Sequence, residues 1–207
     1  MSSISIIGPG NMARAIGALA VAGGNTVEVI GRDQSKAADL ANDLGGSATT
    51  GEFGAVPAGD IVIVSLLYAN VVPVVAQYGD ALAGKVIVDI SNPFNATVDG
   101  LAHDGETSVA QQAAEVAPAG ASVVKGFNTI FRNVLEDGRP AVFLAGDDAQ
   151  AKAAVAAFVE SIGLRPRDVG GLRMAHWLEG MGLVTMGLAR NGVGHWDFAI
   201  GVDEFTG

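Results

Sequence analysis

Short apolar runs alternate with segments of helical periodicity along most of the chain. The runs are rich in Ile and Val and nearly continuous in apolarity, as expected for strands buried on both faces. They predict strands at Ser3–Ile7, Val27–Ile30, Ile61–Leu66, Val86–Ile90, Ser122–Lys125 and Ala141–Ala145. Helices are predicted between or after them, at Met12–Val21, Ser35–Leu44, Val71–Leu82 (with Pro73 in its first turn), Ser108–Val116 and Ala149–Ile162. This alternation predicts an α/β fold with a doubly wound, mainly parallel sheet and helices on both of its faces.

The segment after Gly170 has a different pattern, because Leu172–Ala189 is apolar nearly all round. A helix with no polar face is expected to be buried. Its glycines lower the intrinsic helix propensity by about 1 kcal/mol each, which close packing against another backbone would offset. We therefore expect a main domain over residues 1–170 and a small C-terminal helical segment over residues 171–207. That segment would pack on the domain, on a second subunit of a homodimer, or on both.

The composition argues against several classes of protein. Of the 207 residues, 49% are hydrophobic and 16% are charged, which indicates a globular protein with a large core. The net charge of −10 argues against binding to nucleic acid or to an anionic membrane surface. No segment resembles a signal peptide or a membrane span, and the chain has no Cys, so we expect a cytoplasmic protein without disulfides.

A glycine fingerprint, Gly8-x-Gly10-x-x-Ala13, directly follows the first predicted strand and opens the first predicted helix. Gly8 allows a tight turn, and Gly10 lets the backbone approach a pyrophosphate without an intervening side chain. Ala13, with Gly17 one turn later, lets the helix pack closely on the strand. The free N–H groups and the positive dipole end of the helix would then face the phosphates. This arrangement predicts a Rossmann-type dinucleotide site.

The residues after the second predicted strand bear on the choice between NAD and NADP. In NAD sites an Asp or Glu near this point accepts hydrogen bonds from the ribose hydroxyls, whereas an Arg suits the 2′-phosphate of NADP. Arg32 directly follows "VIG", and Lys36 lies one helical turn away, which favours NADP. Two alternatives stay open. A shift by one residue would make Asp33 a ribose acid, or Arg32 could merely pair with Asp33 or Asp39 at the surface.

With these motifs in place, nearly the whole chain resembles the NADP oxidoreductases that use the 8-hydroxy-5-deazaflavin coenzyme. The related reductase domains of ferric-reducing membrane proteins share the pattern. The resemblance rests on "IIGPGNMARAIG", "VIGRD", "DISNPF", "VKGFNTI" and the closing "GGLRMAHWLEGMGLVTMGLARNGVG". "VKGFNTI" is the most specific of these, whereas the opening motif would also suit pyrroline-carboxylate reductases. The sequence departs from the family pattern at two points. It has Gly-Pro-Gly where many deazaflavin-linked members start with Gly-Thr-Gly or Gly-Gly-Thr-Gly, and Gly-Arg-Asp where they carry a Ser-Arg pair after the second strand. Both departures bear on the identity of the electron acceptor more than on the assignment of NADP.

The resemblance implies a set of cofactor contacts, with NADP as cofactor and the deazaflavin coenzyme as its co-substrate. The pyrophosphate would be held by Gly8, Pro9, Gly10, Asn11 and Met12, and the 2′-phosphate by Arg32 and Lys36. The adenosine side would be lined by Ser65 and Leu66, and the nicotinamide surrounded by Asn92, Pro93, Lys125, Phe127, Asn128 and Thr129. In the closing helix, Trp177 and Met181 are interpreted as a wall facing the substrate, although such stripes are more often plain core.

Hydride transfer between two stacked heterocycles needs no general acid or base at the hydride step, so we expect no catalytic residue of that kind. Lys125 could donate a proton, but contact with a ribose, a phosphate or the sheet edge is favoured. The three histidines, His103, His176 and His195, share no metal-ligand spacing, and we expect no metal site. His176 is interpreted as a core or interface histidine.

Three functions from different classes fit these residues. An NADP-dependent oxidoreductase that transfers hydride between NADP(H) and a deazaflavin or flavin-type acceptor is favoured. A reductase of a small imine or carbonyl compound is disfavoured, because such enzymes usually add a larger helical domain and need a proton donor near the carbonyl. The third function is a non-catalytic NADP sensor.

Overall fold

The computed structural model describes residues 1–46, 48–102, 105 and 107–205, and an eight-stranded sheet runs through them. Its strands are β1 (Ser3–Ile7), β2 (Thr26–Ile30), β3 (Ala48–Gly51), β4 (Ile61–Val64), β5 (Val86–Asp89), β6 (Ser122–Lys125), β7 (Ala141–Gly146) and β8 (Arg165–Gly170). Their order is β3-β2-β1-β4-β5-β6-β7-β8, and all neighbours run parallel except β6 and β7. The predicted α/β fold with a mainly parallel sheet is therefore confirmed. His103 lies outside the described residues.

Helices cover both faces of this sheet, as predicted. They are α1 (Asn11–Ala22), α2 (Gln34–Leu44), α3 (Tyr68–Tyr78), α4 (Val109–Val116), α5 (Arg132–Asp137), α6 (Ala149–Ser161) and α7 (Ala175–Gly187). Residues of α1, α2 and α6 share one buried apolar cluster, and residues of α3, α4 and α7 share a second one on the opposite face. Within the described ranges, no helix is long and apolar enough to cross a bilayer.

The strand order creates a crevice at the middle of the sheet. From β1 the chain moves to β2 and β3 on one side, and it then returns to place β4 on the other side of β1. In such sheets a crevice opens beyond the carboxyl ends of the strands at the point where the order reverses, and ligands bind there. The residues that follow β1, β2, β4, β5 and β6 therefore meet at one edge.

The hydrophobic pattern does not predict three of the observed elements. Strands β3 and β8 are the two edges of the sheet, and their sequences, ATTG and RPRDVG, contain no apolar run. An edge strand pairs on one side and packs less apolar surface, so its pattern is weak. Helix α5 has six residues, too few for a clear periodicity. Helix α3 begins earlier than predicted, at Tyr68, and Pro73 consequently lies inside it instead of in its first turn.

Helix α7 is buried on one face and exposed on the other within the single chain. The helix packs against α4 and β7 through its buried positions, which include Ala175 and Leu178. On the outer face, Trp177 is 65% exposed and Val184 is 57% exposed. One domain surface therefore covers one side of this apolar helix and leaves the other side open.

Candidate functional site

The turn between β1 and α1 is fixed by backbone hydrogen bonds. The Gly8 N–H donates to Ile30 O at 2.8 Å, and the Gly10 N–H donates to Gly8 O at 2.9 Å. Gly8 has a φ of 104°, and a Cβ at this position would clash with the carbonyl oxygen of Ser65. Because L side chains rarely adopt that φ, the turn itself requires glycine at position 8.

Gly10 is in a different situation, since the fold does not require a glycine there. It is the N-cap of α1 with φ −92° and ψ −173°, an extended conformation that any residue adopts. An added Cβ would meet no heavy atom of the described chain within 4 Å. The open space lies in front of the first turn of α1, formed by the exposed Asn11 and the half-buried Met12. Helix N-termini present unsatisfied N–H groups and a partial positive charge, so this space suits an anion.

Gly17 allows a close approach of α1 to its neighbours. The prediction was an approach to strand β1, but the closest neighbour is helix α2. An added Cβ at Gly17 would lie 2.8 Å from Cδ1 of Leu44 on α2 and 3.5 Å from Cδ1 of Ile6 on β1. Ala13, the third fingerprint position, is fully buried. The small side chains of α1 therefore bring α1 against α2 as well as against the sheet.

A cleft of about 230 Å³ opens beside the β1–α1 turn. Its walls include Gly8, Pro9, Arg32, Lys36, Phe53 and Leu66. The Arg32 guanidinium lies over the ring of Phe53, with 5.3 Å between Cζ and the ring centroid. This cation–π contact orients an exposed cation beside the cleft. Phe53 was not predicted, because it follows the unpredicted strand β3 and belongs to no motif.

Asp33 also borders this cleft, but its carboxylate is already engaged. Its Oδ1 accepts the N–H groups of Ser35 at 3.1 Å and Lys36 at 3.2 Å, which makes Asp33 the N-cap of α2. Its Oδ2 lies 3.6 Å from Nζ of Lys36. The Asp33 ion pair is thus formed with Lys36, while Arg32 rests on Phe53. This arrangement favours Arg32 over Asp33 as the residue that would recognise a ribose substituent.

Two asparagines join the ends of β5 and β6. Asn92 donates through Nδ2 to the carbonyl oxygen of Asn128 at 2.7 Å, and Asn128 donates through Nδ2 to Oδ1 of Asn92 at 2.9 Å. The same Nδ2 of Asn128 donates to Leu178 O on α7 at 2.8 Å. A Cβ at Gly182 of α7 would lie 2.8 Å from Oδ1 of Asn92. Gly182 therefore lets α7 approach Asn92 closely within the chain.

The structure corrects the predicted role of Lys125, which lies beneath this pair and does not reach the crevice. Its side chain is fully buried, and its Nζ donates to Oδ2 of Asp89 at 2.7 Å, to Ser91 O at 2.6 Å and to Oε1 of Glu179 at 3.0 Å. Three acceptors use all three ammonium hydrogens. Lys125 therefore positions neighbouring groups, and a direct contact with a nicotinamide is not available to it.

Other predicted residues of this region differ in exposure. Phe127 is buried with a φ of 60° and packs near Phe158, 6.3 Å between ring centroids, so it supports the loop from below and does not line it. Pro93 and Thr129 are buried beside the asparagine pair. Met181 is half-buried, whereas Trp177 stands on the exposed face of α7.

Glu179 is the residue of this site that sequence reasoning missed. Its carboxylate is fully buried, and Oε1 accepts the N–H of Val109 in the first turn of α4 at 3.0 Å. Burial raises the pKa of Glu179 above its ordinary value; Lys125 opposes this rise and Asp89 adds to it. A signal was available, since Glu179 is the one charged residue between Met174 and Ala189.

The fold and the β1–α1 turn define the chain as a Rossmann-type α/β protein. Residues 3–93 match the family model described as NADP oxidoreductase coenzyme F420-dependent. Over this segment the resemblance predicted from the motifs is confirmed.

Individual relatives agree with this assignment. The metalloreductase STEAP3 of Rattus norvegicus is 31% identical over 184 residues, which are 87% of this chain and 36% of the relative. The F420-dependent NADP reductase of Methanocaldococcus jannaschii is 30% identical over 139 residues, 63% of this chain and 62% of the relative. The chain thus spans less than two thirds of each of these relatives. The structure of a candidate F420-dependent NADP reductase from an Arthrobacter species has the same fold, with a TM-score of 0.86 and 23% identity over 99% of this chain and 100% of that one.

Proposed function

We propose that the protein is an NADP-dependent oxidoreductase that transfers hydride between NADP(H) and a deazaflavin or flavin-type acceptor. The observation that carries this proposal is the pairing of the open Gly10 position with the Arg32 cleft beside it. A pyrophosphate would occupy the space before α1, and the adenosine 2′-phosphate would meet Arg32 and Lys36. The names of the matched family and of its curated relative from Methanocaldococcus support NADP as the cofactor.

The nicotinamide end of the cofactor would lie against Asn92 and Asn128. Both residues follow strands that end at the crevice, as a dinucleotide spanning the reversal of strand order requires. Oδ1 of Asn128 is buried, and within the described residues it has no hydrogen-bond partner. A nicotinamide carboxamide carries an N–H₂ group, which would satisfy this acceptor and orient the ring.

The acceptor would stack on the nicotinamide beside α7. NADP(H) supplies the hydride chemistry, while the protein supplies the orientation of the two rings and the exclusion of water. Hydride transfer to a flavin-type ring needs no proton donor at the hydride step, whereas reduction of a carbonyl does. An Asn-lined site therefore suits the flavin-type acceptor better than a carbonyl substrate. The half-buried Met181 and the exposed Trp177 offer apolar surface on this side.

A turnover screen with NADPH tests the proposed reaction. NADPH oxidation is followed at its absorbance maximum with the deazaflavin coenzyme, FMN, FAD, a cyclic imine and a small ketone as acceptors. We expect turnover with a deazaflavin or flavin and none with the imine or ketone. Turnover with the imine alone would replace the proposal by an imine reductase, and tight NADPH binding without any turnover would indicate an NADP sensor.

The substitution Arg32→Ala tests the choice of cofactor. Hydrogen bonds to charged groups contribute roughly 1.5–3 kcal/mol each, so the variant should bind NADP(H) about 10- to 100-fold more weakly. Binding of NAD(H) should change little, because it lacks the 2′-phosphate. Calorimetric titration of both nucleotides measures this difference, with Arg165→Ala on the edge strand β8 as the matched control. Equal losses for NAD(H) and NADP(H) would refute the assignment.

The substitution Gly10→Val tests the pyrophosphate contact. Because the position has an extended backbone and open space, the variant should fold, with a loss of about 1 kcal/mol for the poorer N-cap. The valine side chain would fill the space of the pyrophosphate, so NADPH binding should be lost. Far-UV circular dichroism and a binding titration separate the two effects. Gly8→Val, which would clash with Ser65 O, should fail to fold. A folded Gly10→Val protein with normal NADPH affinity would disprove the contact.

We also propose that the protein is a homodimer, formed through the exposed face of α7. Trp177 and Val184 on this face, and Leu188 directly after the helix, are apolar and more than a third exposed. Gly180 has no described heavy atom within 4 Å of an added Cβ, so a second backbone could approach there. Large exposed apolar patches on soluble proteins mark interaction sites, and two-fold dimers are the commonest assembly. Sedimentation velocity at micromolar concentration should give about twice the chain mass of 20.9 kDa. A monomer would reject this interface.

A further inference from the structure

Phe53 connects the cation of the proposed 2′-phosphate site to the buried core. It lies two residues after strand β3, is half-buried, and lines the cleft together with Arg32. The Arg32 guanidinium lies over its ring, with 5.3 Å between Cζ and the ring centroid. The ring also packs edge-to-face on Tyr78, with 5.3 Å between the two centroids and 82° between the two planes. A chain of contacts therefore runs from an exposed cation to a residue of the core.

The contact with Tyr78 fixes the position of the Phe53 ring. Tyr78 is the last residue of α3 and is buried in the second apolar cluster, against which Phe53 packs. Edge-to-face pairs are a preferred aromatic geometry and stabilise a structure beyond the area that they bury. Side chains packed against a core keep well-defined rotamers. Phe53 therefore offers Arg32 an aromatic surface whose place beside the cleft is set by the fold.

Arg32 can bind a phosphate while it rests on this ring. The N–H donors of a guanidinium lie in its plane, so a guanidinium on an aromatic ring can still present them to an anion. Within the described residues these donors have no hydrogen-bond or ion-pair partner. A phosphate could therefore accept two parallel hydrogen bonds from Arg32 without displacing it from Phe53.

Two carboxylates near Arg32 would compete for it if the ring were absent. Glu52 borders the same surface pocket as Arg32 and Phe53, and Asp33 borders the cleft with them. Ion pairs between exposed side chains are weak, so one cation–π contact is enough to bias the position of an exposed guanidinium. Without that contact, Arg32 could pair with either acid, and the pair would have to break before a phosphate could bind.

We propose that Phe53 is a positioning residue that sets the preference for NADP(H) over NAD(H) through Arg32. The ring holds the guanidinium beside the cleft before the nucleotide arrives, so less side-chain freedom is lost on binding. NAD(H) has a hydroxyl group in place of the 2′-phosphate and gains little from a cation held in this way. The inference rests on the proposed NADP site and deepens it, because it assigns part of the cofactor choice to an aromatic residue outside the glycine fingerprint.

The substitution Phe53→Leu tests this role. Leucine keeps an apolar side chain in the cleft wall but removes the aromatic ring. We expect the affinity for NADP(H) to fall by about two- to tenfold, the range expected for ordering one long side chain, and the affinity for NAD(H) to change little. Phe53→Tyr keeps the ring and should retain the preference of the unmodified protein. Calorimetric titration gives the ratio of the two dissociation constants, and a partly unfolded sample would affect both nucleotides alike.

A double-mutant cycle with Arg32→Ala shows whether Phe53 acts through Arg32. In the Arg32→Ala protein, adding Phe53→Leu should leave the ratio of the two dissociation constants unchanged, because no guanidinium remains to be positioned. Phe198→Leu is the matched control. Phe198 is also half-buried and packs edge-to-face on an aromatic ring, that of Phe131, at 5.6 Å between centroids. This control should keep the full preference for NADP(H).

The outcomes separate this inference from the proposed function. If Arg32→Ala loses the preference for NADP(H) and Phe53→Leu keeps it, the positioning role is wrong while the proposed cofactor stands. The role is also wrong if Phe53→Leu lowers the ratio equally with and without Arg32, since the ring would then act on the nucleotide directly. Phe53→Met, which can fill the same space, replaces Phe53→Leu if that variant does not fold. An unmodified protein without a preference for NADP(H) would overturn the proposed cofactor, and this inference with it.

Discussion

The position of the C-terminal helix depends on one buried ammonium that two carboxylates share. Taking charged groups out of water costs several kcal/mol for each ion, and close pairing with further hydrogen bonds has to offset that cost. Each partner comes from a different element: Asp89 ends β5, Lys125 ends β6, and Glu179 lies on α7 and also holds the first turn of α4. Because Glu179 is the member of this group that lies on α7, its contact with Lys125 specifies one position of α7 on the sheet.

The two ends of the crevice are built from different kinds of contact. At the β1–α1 end, backbone geometry leaves Gly10 open, and the Arg32 cation stays exposed on an aromatic ring. Recognition there would be electrostatic and therefore sensitive to salt. At the β5–β6 end, Asn92 and Asn128 are fixed by hydrogen bonds to each other and to α7. Such preorganised groups contribute orientation more than affinity. In the proposed function, the first end anchors the cofactor and the second sets the angle of the reacting ring.

Features with a local signal were predictable from the sequence, and features made by distant pairs were not. The bounds predicted for Ser3–Ile7 and Ser122–Lys125 agree with β1 and β6, because buried central strands carry continuous apolar runs. Polar edge strands have no such run, and Phe53 was missed with one of them. The motif around Lys125 pointed to the right end of the sheet, but its acidic partners are 36 and 54 residues away in the chain. No spacing rule connects residues so far apart, so an internal ion pair was mistaken for a cofactor contact.

In the proposed function, helix α7 would separate the orientation of the cofactor from the recognition of the acceptor. Its inner face is held by the buried charges and by the close approach of Gly182 to Asn92. Its outer face, which includes Trp177 and Val184, is exposed within the chain. Two curated relatives of this chain carry names that refer to different reactions, a metalloreductase and an F420-dependent NADP reductase. A helix that is fixed on its inner face and exposed on its outer face provides a physical route to such diversity. Substitutions on the outer face would alter the proposed acceptor surface, while the asparagine pair beneath the helix would keep its geometry.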